Sequence, residues 1–144
     1  MYKRILIPLD HSATDQTILN HIRPLAKMMH AYLVLVHVAD GYVARLQSEL
    51  NLEDSEEIKN DKIYLKQKEQ ELAKEGFSVV SYLVLGEPAD QLLAIAEKEK
   101  CDLIAMSTHG HRFWKDFILG SVADNLRHRT NIPILMIRSL PQSS

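Results

Sequence analysis

The chain has 144 residues and a mass of 16.5 kDa, about one domain's worth of sequence. Hydrophobic residues make up 46% and charged residues 25%, which argues against global disorder, and a net charge of −2 argues against the basic surface that grips nucleic acid. No apolar run approaches the ~20 residues that span a bilayer. Ile5-Leu6-Ile7 stops at Pro8, short of the ~7–15-residue core of a secretion signal, and the one cysteine, Cys101, has no partner for an internal disulfide, so the expected compartment is a reducing cytoplasm.

The first apolar run, Ile5 to Ile7, reads as a buried strand. Ser12 follows as a candidate N-cap, with Asp15 three residues later in the manner of a capping box. Ile18, Leu19, Ile22, Leu25, Ala26 and Met29 then recur at helical spacing, and Pro24 inside that pattern is expected to kink or restart the helix. Tyr32 to Val38 is a second strand. Residues 39–53 form the least regular connection. From Asp54 to Glu75 the chain is strongly charged, with Ile58, Leu65 and Leu72 as a thin apolar stripe; this predicts a mostly solvated helix ended by Gly76.

Phe77 to Leu85 is a third strand, rich in valine. Pro88 suits the first turn of a third helix, with Leu92, Leu93, Ile95 and Ala96 facing inward. Leu103 to Met106 is a fourth strand. Val122, Ala123 and Leu126 mark a fourth helix that opens at Gly120-Ser121 and ends near Arg127-His128-Arg129, cations suited to a helix C-terminus. Ile134 to Ile137 is the last strand. Near-continuous apolar runs are the signature of strands covered on both faces. The alternation β-α-β-α-β-α-β-α-β therefore predicts one α/β domain over residues 1–144 with a parallel sheet. Residues 139–144 read as a flexible tail.

In such a sheet, ligands bind beyond the carboxyl ends of the strands, where the strand order reverses. The segments leaving those ends are Pro8-Leu9-Asp10-His11-Ser12, His37-Val38-Ala39-Asp40 and Ser107-Thr108-His109-Gly110-His111-Arg112, followed by Gly120-Ser121. Glycine lets backbone amides approach a phosphate closely, and a helix N-terminus adds partial positive charge. Gly110 and Gly120 serve equally well as a turn residue and a packing contact, so the pair by itself leaves both readings open.

The segment from Leu103 to Val122, LIAMSTHGHRFWKDFILGSV, resembles the universal stress protein family in its nucleotide-binding branch, which carries G-x2-G-x9-G-[ST] after the fourth strand. Gly110, the nine residues His111 to Leu119, then Gly120 and Ser121 match; Ser107 stands where the first glycine is expected. The opening KRILIPLD, the strand LVLVHV, LGEPADQLLAIAE and the closing NIPILMIR extend the resemblance over essentially the whole chain. It implies an open five-stranded sheet of order 3-2-1-4-5 with helices on both faces. It also implies ATP, or AMP or ADP, with or without magnesium, held between the first and fourth strands.

Carried over residue by residue, the resemblance places Pro8, Leu9 and Asp10 at the adenine or ribose side, and the backbone of Val38 at the adenine. Ser107 and Gly110 line the ribose and phosphates, with Thr108, His111 and Arg112 flanking them. Gly120 and Ser121, with Val122 beside them, hold the terminal phosphates. It further implies a homodimer through Ile134 to Ile137, an apolar edge strand of the kind that invites pairing, and a stress-response role for a binder rather than a strongly turning-over enzyme, slow ATP hydrolysis remaining open.

Other readings compete. Asp10 also suits the entry to the first helix. His37 reads as a satisfied core histidine, Phe113 and Trp114 as packing residues, and Cys101 as a packed thiol. Thr108-His109-Gly110-His111 spells the T-x-G-H of nucleotidyltransferases, but after the fourth strand instead of the first. His109 and His111 alone fall short of a zinc site. Ser107 in a glycine slot keeps a nucleotide-free interaction module in view.

Overall fold

The computed structural model describes residues 1–39, 56–108 and 116–139, the last of these through its backbone alone over residues 116–121. Nine elements alternate along these segments: β1 (Arg4–Pro8), α1 (Thr14–Met29), β2 (Tyr32–Ala39), α2 (Glu56–Lys74), β3 (Val79–Leu85), α3 (Pro88–Lys98), β4 (Leu103–Thr108), α4 (Asp116–Arg129) and β5 (Ile134–Arg138). The strands form one sheet in the order β3-β2-β1-β4-β5, and every pairing is parallel. The fold class and strand order are those expected from the sequence.

Alternation along the strands builds two cores. Ile5 and Ile7 of β1, Leu33 and Leu35 of β2, and Leu103 and Ala105 of β4 face α1 and α2, where they meet Ile18, Leu19, Ile22, Leu65 and Leu72. Leu6, Val34, Val36, Ile104 and Met106 face α3 and α4 and meet Leu92, Ala96, Val122, Ala123 and Leu126. A strand buried on both faces has no polar side to show, hence the unbroken apolar runs. The chain winds from β1 leftward through β2 to β3, then returns to β4 and β5 on the other side. The order therefore reverses between β1 and β4.

Three local expectations are corrected. Ser12 does not cap α1: the N-cap is Ala13, with no side-chain cap. Asp15 turns back to the preceding loop instead, where its two oxygens accept from the amides of Asp10 and His11, which would otherwise lack an acceptor. Of the two outcomes expected at Pro24, a kink or a restart, the restart does not occur: one helix runs from Thr14 to Met29. It lies on the exposed face of α1, where the carbonyl left without its helical donor faces solvent. Third, α4 begins at Asp116, so Gly120 and Ser121 lie in its second turn. The nine-residue spacer before Gly120 itself contains helix-forming chain.

At the β5 edge the hydrogen-bond ladder fixes which groups point outward. The amide of Ile104 donates to the carbonyl of Pro133, and that of Ser139 donates to the carbonyl of Thr108. Backbone groups alternate sides along a strand. Those of 133, 135, 137 and 139 therefore face β4, and those of Ile134, Met136 and Arg138 face away from the sheet.

Candidate functional site

The crevice opens where β1 and β4 diverge. The amide of Leu9 donates to the Val36 carbonyl at 2.8 Å, which holds Pro8 and Leu9 in line with β1 and delivers Asp10 to the edge. Pro8 and Leu9 are buried and Asp10 is half-buried. The Asp10 carboxylate accepts from the hydroxyl of Ser12 and, at 3.4 Å, from that of Thr14. His11 has a left-handed backbone, φ 61°, a conformation that costs an ordinary residue about 1–2 kcal/mol. The turn is held in it by its surroundings.

Asp15 is the centre of that hold. One of its oxygens accepts from the Asp10 amide at 3.0 Å. The other accepts from the His11 amide at 2.9 Å and from the Tyr64 hydroxyl at 2.6 Å. Burial, then the nearby Asp10 carboxylate, pushes the Asp15 carboxyl up to about 6, against the opposing pull of the Tyr64 hydrogen bond. Burial and the Asp15 charge push the Tyr64 hydroxyl above the usual phenol range, so Tyr64 stays a donor. Its ring stacks on His11 with centroids 4.0 Å apart.

A second connection runs beneath the turn. Asp61, buried on α2, lies 2.6 Å from Nδ1 of His11 and 3.1 Å from Nε2 of His37. The other nitrogen of His37, Nδ1, lies 2.8 Å from the Leu9 carbonyl. His37 is thus the satisfied histidine expected of it. Sequence reasoning missed Asp61 and Tyr64. The signal was there: Ile58, Asp61, Leu65 and Leu72 repeat at helical spacing on one face, and an acid at a core-facing position asks for a partner.

Across the crevice, Ser107 ends the buried part of β4, 1% exposed, and its hydroxyl has no hydrogen-bond partner among the described residues. By strand alternation it faces α1, as Leu103 and Ala105 do. Nearby on that face Thr17 and Ser139 share a hydroxyl contact of 3.3 Å. A buried hydroxyl without a partner costs about 1–3 kcal/mol, so Ser107 is an expensive feature unless something pairs with it. Thr108 is half-exposed at the strand end. Val38 is half-buried on the opposite face of β2, against the α3 side of the sheet.

Gly110, His111 and Arg112 lie outside the described residues, as do Asp40, His109, Phe113 and Trp114; the tail expected from 139 onward is described only at Ser139. Of Ser121 the backbone alone is described. The Cys101 thiol is buried and pushed up to about 11, first by desolvation, in keeping with a packing role. Among the described residues, no group of three or more His, Cys, Asp or Glu side chains is arranged to hold a metal ion. No helix among them is long and apolar enough to cross a membrane.

An open, doubly wound parallel α/β sheet with polar side chains gathered at its switch point is thus the class of protein this chain represents. Residues 1–138 match the model of the universal stress protein family, and the chain belongs to that family. It is 31% identical to universal stress protein MJ0577 of Methanocaldococcus jannaschii, over 96% of each chain. The solved structure of MJ0577 superposes with a TM-score of 0.76 at 32% identity, covering 100% of this chain and 99% of that one. Two more distant structures share the fold. A universal stress protein from Archaeoglobus fulgidus in complex with dAMP has a TM-score of 0.69 at 20% identity, covering 94% of this chain and 98% of that one. A universal stress protein in complex with cAMP has a TM-score of 0.65 at 19% identity, covering 95% and 97%.

Proposed function

We propose that this chain binds an adenine nucleotide, ATP in the first instance, in the crevice between β1 and β4, and acts as a stress-response or regulatory binder without rapid turnover. The observation that carries the reading is the pairing, across the switch point, of a built Asp10 turn with the carboxyl end of β4, from which the Gly110-x9-Gly120-Ser121 segment departs. Family members solved with dAMP and cAMP support the chemical class. Pro8, Leu9 and Asp10 take the nucleoside side, with the Val38 backbone at the base. Ser107, Thr108, Gly110, His111 and Arg112 take the ribose and first phosphates, and Gly120, Ser121 and Val122 the terminal phosphates, with magnesium as their counterion.

In a helix that begins at Asp116, the amides of Gly120 and Ser121 lie past the first turn and already have intrahelical acceptors, the carbonyls of Asp116 and Phe117. Holding a phosphate with the amides of Gly120 and Ser121 therefore requires the first turn of α4 to unwind. The same observation favours a second reading, a nucleotide-free interaction module in which α4 keeps that turn. The reading also places the protein in the cytoplasm, as one domain, and as a homodimer through β5. Two copies related by a twofold axis would pair antiparallel, with Met136 opposite Met136 and Ile134 opposite Arg138.

Isothermal titration with ATP and magnesium tests the nucleotide site. ATP should bind more tightly than adenosine, because an amide cradle holds phosphate. No binding at millimolar ATP overturns the reading in favour of the module. Equal affinities overturn the phosphate assignment.

A further inference from the structure

The proton count of the His11–Asp61–His37 chain does not close with neutral imidazoles and a charged carboxylate. The Leu9 carbonyl can only accept, so Nδ1 of His37, 2.8 Å away, carries a proton. In a neutral imidazole, Nε2 is then a bare acceptor, and it faces a carboxylate oxygen of Asp61 at 3.1 Å, which is also a bare acceptor. One more proton must lie between them, on Nε2 or on the oxygen. The other oxygen of Asp61 is already occupied by Nδ1 of His11 at 2.6 Å. Asp61 is buried, so water does not relieve the clash of lone pairs.

We propose that His37, Asp61 and His11 form a proton-dependent latch that clasps α2 to the turn carrying Asp10. With the extra proton present, all three contacts are bonds, and α2 holds the left-handed His11 backbone in place. When the pH rises and that proton leaves, Nε2 and the carboxylate repel, Asp61 withdraws, and the turn loses one of its anchors. Among the described residues, the groups that face this chain are Asp10 and His11 from the turn, Asp15 from α1, His37 from β2, and Asp61 and Tyr64 from α2, with the Lys68 ammonium 5.6 Å over the Tyr64 ring. Beside His37, β3 contributes the uncharged Leu83. The effect on ligand affinity rests on the nucleotide site proposed above at Asp10.

Asp61→Asn is the discriminating variant. Its amide donates to Nε2 of His37 and its carbonyl accepts from Nδ1 of His11, so both bonds survive with no extra proton. In nitrogen-15 NMR of the imidazoles from about pH 5 to about pH 9, the wild-type His37 ring nitrogens should move through a transition; they are the readout because the amides of Asp10 and His11 also follow the Asp15 carboxylate they donate to. In Asp61→Asn that transition should be missing. Wild-type His37 signals that do not change with pH, or an unaltered transition in Asp61→Asn, overturn the latch. Should that variant not fold, the wild-type titration decides alone.

A second readout is the ATP affinity of Asp61→Asn relative to wild type, a ratio in which the titration of ATP itself cancels. It should be near one at about pH 6 and rise about threefold or more at about pH 8.5. A flat ratio overturns the coupling of the latch to the turn. Absence of ATP binding at every pH overturns the nucleotide reading, while the imidazole titration still decides the latch.

Discussion

The hydroxyl of Tyr64 donates to the Asp15 carboxylate at 2.6 Å, and this one bond ties α2 to the first turn of α1. Asp15 is pushed from the usual 3.8 up to about 6. The folded chain therefore holds this proton more tightly than the unfolded chain does. The resulting stability is present in full below the unfolded value and is lost as the pH rises through about 6, an effect of order 3 kcal/mol at most. Carbon-13 NMR of the carboxyl should report a midpoint near 6. Because the Tyr64 bond favours the charged form, Tyr64→Phe should move that midpoint further up. A midpoint that stays or falls would show that the hydroxyl does not act on Asp15.

Ser107 separates stability from binding. Replacing it with alanine removes a buried hydroxyl that has no partner among the described residues, which should leave the ligand-free protein as stable or more so, by up to about 1 kcal/mol. If the hydroxyl meets the nucleotide, ATP affinity should fall about fivefold to tenfold at the same time. Thermal melts with and without ATP measure both. A stable Ser107→Ala variant with unchanged affinity would assign the serine no contact with ligand.

Gly120 tests the first turn of α4. In a helix, alanine is favoured over glycine by about 1 kcal/mol. Gly120→Ala should therefore stabilise the ligand-free protein and weaken ATP binding, since the turn that must open is now harder to open. Tighter binding would indicate that α4 stays wound around the nucleotide. Gly120→Val adds bulk as well. Normal ATP binding by a folded Gly120→Val protein would remove the phosphates from this position.

The edge strand offers a clean cut. The amide of Met136 points away from β4 and its side chain is 49% exposed, so a proline here deletes an outward donor without touching the β4–β5 ladder. Met136→Pro should fold like the wild type and be monomeric by light scattering at micromolar concentration. A wild-type monomer, or a variant that still dimerises, would place any interface elsewhere.

The sheet was the most legible part of the sequence, because a short unbroken apolar run between turn residues fits a strand covered on both faces and little else; strand order came only with the family resemblance. Local polar chemistry was harder to read. Ser12 and Asp15 carry the letters of a capping box, yet Asp15 serves loop amides that only the folded turn brings near it. Asp61 looked like one more charge on a wet helix until its place in the stripe of Ile58, Leu65 and Leu72 is counted. Gly120 marks the family segment correctly but not the helix start, since nothing between Asp116 and Leu119 forbids helix. The contact of His37 with Asp61 spans 24 positions, beyond any local pattern.

That same stripe sets the order in which the molecule should open. Over its nineteen residues α2 buries only Ile58, Asp61, Leu65 and Leu72, and β3, which it covers, has no fully buried residue. By contrast, Ile5, Leu6 and Ile7 of β1 are completely enclosed. Each buried aliphatic contributes about 2 kcal/mol, so α2 and β3 together form a shallower cooperative unit than the central strands. Amide hydrogen exchange should release them early and as a pair, while β1, β2 and β4 keep their protons until the whole chain unfolds.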